Sequence, residues 1–66
     1  MTVTERKRLD NIVSLLKDAR YDPYAQLLGY YETGDGSYIT RKGDARKQIE
    51  SISKEALREY IEIMPH

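Results

Sequence analysis

Apolar residues recur at helical spacing along most of this chain. Leu9, Ile12, Val13, Leu16 and Ala19 define one face of a predicted helix running from about Thr4 to Arg20. Thr4 is the expected N-cap, with Glu5 in the first turn, where the helix dipole favours negative charge. A second helix is announced by Asp22 followed by Pro23, an N-cap and then a proline at the first helical position, where its missing N–H costs nothing. Tyr24, Leu27, Leu28 and Tyr31 share its apolar face, and Gly34 is placed to end it in a left-handed conformation. A helix of about three turns depends on packing more than on propensity.

Thr33 to Ser37 reads as a turn, and Tyr38-Ile39-Thr40 as a brief extended stretch with no partner strand elsewhere. A third helix is expected from near Arg41 to Ile52, with Ala45, Ile49 and Ile52 on one side and Gly43 weakening its first turn by about 1 kcal/mol. Ser53 is the expected cap of a fourth, in which Leu57, Tyr60, Ile61 and Met64 face inward; the alternative is one long kinked helix. Pro65 ends it. The expected fold is all-α, a compact bundle of three to four short helices, with residues 1–66 forming one domain.

Size changes this picture, because 66 residues bury only a modest core. The chain has no cysteine for a disulfide, and its one histidine, His66, makes a metal staple unlikely, so neither metal nor cofactor is expected. Oligomerisation is the remaining common device, and an intertwined or side-by-side homodimer is expected. Eleven basic residues balance eleven acidic ones, which argues against a nucleic-acid module, since these usually carry excess positive charge. No apolar run approaches a membrane span, and MTVTERKRLD lacks the apolar stretch of a signal peptide; a cytoplasmic protein without membrane contact is expected.

Chemistry is sparse. Absence of cysteine and of an internal histidine removes the common nucleophile–base pairs, and no carboxylate pair is placed in an evident cleft, so no catalytic residue is assigned and a non-enzyme is expected. Five of the six tyrosines lie between Tyr21 and Arg46. Tyr24, Tyr31 and Tyr60 fall on apolar faces, which fits core or dimer interface better than base stacking. Gly34-Asp35-Gly36-Ser37 lacks the preceding strand of a phosphate loop and reads as a helix cap followed by a tight turn. Arg41, Lys42, Arg46 and Lys47 form one basic patch, but Asp44 and Glu50 dilute it. The turn before it is also longer than that of a helix-turn-helix. Arg46 is positioned to bond loop carbonyls or Asp35.

Taken together, Tyr21, Asp22, Pro23, Gln26, Gly29, Tyr30, Gly34, Asp35, Tyr38, Ile39, Ala45 and Arg46 resemble the IreB family of small regulatory proteins from low-GC Gram-positive bacteria. The matching stretches are ARYDP, QLLGYYETGDGSYI and DARKQIESISKEALREYIEIM, from Arg20 to Met64. The resemblance implies a compact helical homodimer with a non-catalytic role in Ser/Thr-kinase signalling and intrinsic resistance to cell-wall-active antibiotics. Family members carry phosphorylated threonine in a tail ahead of the first helix. Here only Met1 to Thr4 precede the predicted helix, and Thr2 and Thr4 are candidates by position alone. The family's glycine before the first tyrosine is Arg20, its asparagine is Asp22 and its turn proline is Gly36.

The expected function is a protein–protein adaptor. Asp22, Pro23, Gln26, Gly29, Gly34, Asp35 and Gly36 are expected to build the scaffold, and Tyr30, Tyr38 and Arg46 to meet a protein partner whose identity the sequence does not give. The alternative is a helical nucleic-acid-binding protein using Arg41, Lys42, Arg46 and Lys47.

Overall fold

The computed structural model describes residues 1–65, so His66, the histidine weighed as a metal ligand, lies outside the described residues. The elements run in order α1 (Val3–Asp18), α2 (Pro23–Thr33), a 3-10 turn at Gly36–Tyr38, a second at Lys42–Asp44, α3 (Ala45–Glu50) and α4 (Lys54–Ile63). No strand occurs among the described residues, and the fold is all-α with four α-helices.

Helix α1 begins earlier than its apolar pattern predicts. The N-cap is Thr2, not Thr4: Thr2 Oγ1 accepts from Glu5 N at 3.1 Å, and Glu5 Oε1 accepts from Thr2 N at 3.0 Å. This reciprocal capping box satisfies two of the amide groups that a helix start leaves without partners. The second oxygen of Glu5 reaches across to α4, accepting from Ser53 N and Ser53 Oγ at 3.2 Å each. Ser53 Oγ in turn accepts from Ala56 N, so Ser53 caps α4 as its sequence position indicates. One carboxylate therefore ties together the starts of two helices 48 residues apart.

The end of α1 is a Schellman turn. Tyr21 N donates to Leu16 O and Arg20 N to Lys17 O, both at 2.9 Å, with Arg20 at φ 66°. A side chain there costs about 1–2 kcal/mol that glycine does not incur. The glycine of the family motif at this position thus has a conformational reason, and Arg20 is a local strain. Asp22 then caps α2 by accepting from Tyr24 N at 3.1 Å and Ala25 N at 3.5 Å, and Gly34 ends the helix at φ 72°, both as predicted.

Two further expectations need correction. Tyr38 belongs to a 3-10 turn, whereas Ile39 has the extended backbone expected, at φ −108° and ψ 130°. The third helix starts at Ala45, four residues later than expected. Gly43 (φ 56°) and Asp44 (φ 60°) are both left-handed and cannot belong to a helix, so Gly43 permits a reversal before the helix and does not weaken its first turn. Space selects for glycine there as well, because an added Cβ would lie 3.0 Å from Leu15 Cδ2. The extended backbone of Ser53 (ψ 152°) separates α3 from α4, which settles the choice against one long kinked helix.

The helices enclose one cluster of buried side chains: Leu9, Ile12 and Leu16 of α1, Leu27, Ile39, Ala45 and Ile49, then Leu57, Tyr60 and Ile61 of α4. Val13, Tyr24, Leu28, Tyr31, Ile52 and Met64, also assigned to apolar faces, pack half-buried around it. Helix α1 lies antiparallel on α3, with Arg8 Nη1 donating to Ser51 Oγ at 2.8 Å and Asn11 Nδ2 to Gln48 Oε1 at 2.9 Å. Helices α2 and α4 form the second antiparallel pair: Tyr24 lies beside the end of α4, and Tyr31 beside its start.

Arg20→Gly should raise the unfolding free energy by about 1 kcal/mol, after the greater freedom of glycine in the unfolded chain is discounted, as read from urea denaturation. A pH titration of stability tests the Glu5 clasp. Hydrogen bonds from the Thr2 backbone, then from Ser53, hold its carboxyl below the ordinary value of 4.5. A lowered folded pKa contributes stability above that ordinary value and loses it as pH falls through the folded one. Glu5→Gln should therefore be less stable near neutral pH and show a shallower loss of stability below about pH 4.5.

Candidate functional site

The segment joining α2 to α3 carries Tyr38, one of the three expected contact residues, and a second, Arg46 of α3, bonds to it. Ile39 is fully buried, and the chain around it is held by two side chains from flanking helices: Gln26 Nε2 donates to Tyr38 O at 3.0 Å, and Arg46 Nε donates to Ile39 O at 2.9 Å. Arg46 thus makes the loop-carbonyl bond expected of it. The Tyr38 ring packs against α2 at Gly29, where a Cβ would lie 2.5 Å from Tyr38 Cε1. Gly29 is a close-approach glycine in the middle of a helix, which accounts for a residue that helix propensity disfavours.

The turn before this segment is a relay of short bonds. Thr33 Oγ1 donates to Gly29 O at 2.7 Å and accepts from Asp35 N at 3.1 Å, while Asp35 Oδ1 accepts from Ser37 N at 2.9 Å. The Ser37 backbone bond, then its side chain and the nearby charge of Arg46, hold the Asp35 carboxyl below the usual range. Gly34 requires its left-handed φ, whereas Gly36 has no positive φ and open space around it, so nothing in the backbone demands glycine there.

Tyr30, the third expected contact residue, lines a separate cleft of about 290 Å³ between the end of α2 and the start of α4. Its walls are Tyr30, Tyr31, Ile52 and Leu57, and the Lys54 ammonium sits 5.1 Å from the centre of the Tyr31 ring. At that distance a cation is attracted to the ring face by about 0.5–1 kcal/mol at an exposed site. Ile52 and Lys54 line this cleft beside Tyr30 without any sign of it in the sequence, because they follow the break between α3 and α4 and no spacing rule connects them to α2. Pro23 occupies the first turn of α2, as its caps require.

In the basic patch, Arg41, Lys42 and Lys47 are exposed, but Arg46 is half-buried and bonded to Ile39 O. Only three of the four predicted cations are therefore fully exposed. Among the described residues no group of three or more His, Cys, Asp or Glu side chains is arranged to hold a metal ion. The Tyr60 hydroxyl donates to Asp10 Oδ1 at 2.6 Å, and burial, then that hydrogen bond and the carboxylate's charge, push its pKa well above the ordinary tyrosine value. It is held as a hydrogen-bond donor between α4 and α1.

These features define a small helical scaffold whose polar side chains chiefly tie one helix to another. The sequence model of the IreB regulatory phosphoprotein family matches residues 2–63, and the chain belongs to the IreB family. The match includes α1, beyond the stretch from Arg20 onward that carries the motifs. The chain is also 38% identical over 56 residues to a UPF0297 protein of Acetivibrio thermocellus, a stretch covering 85% of this chain and 62% of that relative. The family is described as one of regulatory phosphoproteins, and among the described residues no helix is long and apolar enough to cross a membrane.

Gly29→Ala should cost about 1–3 kcal/mol, because the Tyr38 ring has to leave its seat on α2. Thermal denaturation followed by circular dichroism, compared with Gly36→Ala as a near-neutral control, measures it.

Proposed function

We propose that this protein is a non-catalytic adaptor, formed as one helical domain and acting as a cytoplasmic homodimer through protein–protein contacts in Ser/Thr-kinase-linked signalling of the cell envelope, including resistance to wall-active antibiotics. Membership of a family of regulatory phosphoproteins supports the regulatory role. The observation that carries the contact surface is the Tyr30 cleft, whose half-buried tyrosines and apolar floor are joined by a single cation, Lys54. Aromatic walls over an apolar floor are the anatomy of an interface anchor site. In this reading Tyr30 meets the partner, while Tyr38 and Arg46 act by fixing the α2–α3 connection from which that end of α2 is presented.

The test is a pull-down from the native host, with and without active Ser/Thr kinase, using the wild-type chain and Tyr30→Ala. The expected result is a partner retained by the wild type, lost with Tyr30→Ala at unchanged helical content, and altered in amount when the kinase is inactive. Sedimentation of the purified chain at micromolar concentration should give twice the 7.7 kDa chain mass. Full complementation of a deletion strain by a folded Tyr30→Ala variant would overturn the contact surface, and a monomer mass would overturn the dimer.

A further inference from the structure

A second cleft, of about 390 Å³, opens between α1, the start of α2 and the end of α4. From the geometry here we infer a binding site for a lysine or arginine side chain presented by a partner protein. The site is separate from the Tyr30 cleft and does not depend on its role.

Two aspartates line it, Asp10 from α1 and Asp22 from the α2 cap. Each is fixed through one oxygen: Asp10 Oδ1 accepts from the Tyr60 hydroxyl at 2.6 Å, and Asp22 Oδ1 accepts from Tyr24 N at 3.1 Å. Neither carboxylate has an ion-pair partner among the described residues. Val13, Pro23 and Tyr24 supply apolar wall between them. An alkyl stem ending in a cation matches this combination, since lysine and arginine lay their methylenes on apolar surface while the charged head meets carboxylate.

Charge distribution extends the match beyond the cleft. Helix α1 and residues 41–50, which pack together, carry eight basic and five acidic side chains, whereas residues 20–37 and α4, the other packed pair, carry three basic and six acidic ones. A chain of zero net charge is thus polarised, and the α2 and α4 walls of the cleft belong to its acidic half, while the α1 wall, which carries Asp10 and Lys17, belongs to the basic one. Lys17 is the one basic residue lining the cleft. It opposes a second cation, and its removal should strengthen binding.

The experiment is a titration of the isotope-labelled full chain with tetralysine blocked at both ends, followed by amide chemical shifts at low salt. Saturable shifts should centre on Asp10, Val13, Asp22 and Tyr24. Asp10→Asn with Asp22→Asn keeps both accepting oxygens and an efficient helix cap, and should weaken binding about tenfold. Lys17→Gln, an exposed position, should tighten it several-fold and tests the site even if the double variant is poorly folded. Shifts centred on Glu55, Glu59 and Glu62, an affinity unmoved by both sets of substitutions, or equal binding of blocked tetraglutamate would each overturn the assignment.

Discussion

The passage of the chain from α2 to α3 depends on Ile39. This residue is fully buried although it lies in a connection between helices, so its own carbonyl and its neighbour's are drawn toward the interior, where an unpaired polar group costs about 1–3 kcal/mol. Arg46 and Gln26 remove that cost by donating to Ile39 O and Tyr38 O. Because one donor stands on α2 and the other on α3, the same two bonds fix the relative placement of those helices. The guanidinium is suited to the task, since its donors are held in a rigid planar fork. Gly29 lets Tyr38 close over the connection, and the α2 cap at Gly34 sets its direction. Gln26 and Arg46, two polar residues of the motif, thus support one apolar side chain.

Much of the fold could be read from the sequence. Asp22-Pro23, Gly34 and Ser53 each marked a helix end through local backbone chemistry, and local chemistry is what sequence displays directly. The Thr2-x-x-Glu5 spacing of a capping box was equally legible, but Thr4 beside Glu5 drew the boundary inward. The start of α3 was hidden for a different reason: Gly43 and Asp44 take left-handed conformations that end the helical pattern, and the crowding of Gly43 by Leu15 joins residues 28 apart, which no spacing rule displays. Arg46 was foreseen as a donor to loop carbonyls. The clefts were not foreseen, since each gathers residues from helices whose pairing no periodicity specifies.

The two antiparallel pairs, α1 with α3 and α2 with α4, give the small molecule two unlike halves. Tyrosine is well suited to such a design, with no phenylalanine or tryptophan in the chain. Tyr60 and Tyr38 turn a ring to the packed interior or a neighbouring helix, and Tyr60 sends its hydroxyl to Asp10. The aromatic surface thereby contributes burial and helix-to-helix bonding at once, which matters where the core is only about ten side chains. Motif residues line both clefts, Tyr30 and Gly34 in one and Asp22 and Pro23 in the other.

The shared carboxylate of Glu5 has a kinetic consequence. Terminal turns ordinarily fray independently, each opening without regard to the next. Here the first turn of α1 cannot unwind without withdrawing the acceptor of Ser53 N and Ser53 Oγ, and the first turn of α4 cannot lift away without releasing the carboxylate that closes the Thr2 cap. The two openings are coupled through one side chain, so that a disturbance at the first residues of the chain is felt at the residue introducing its last helix.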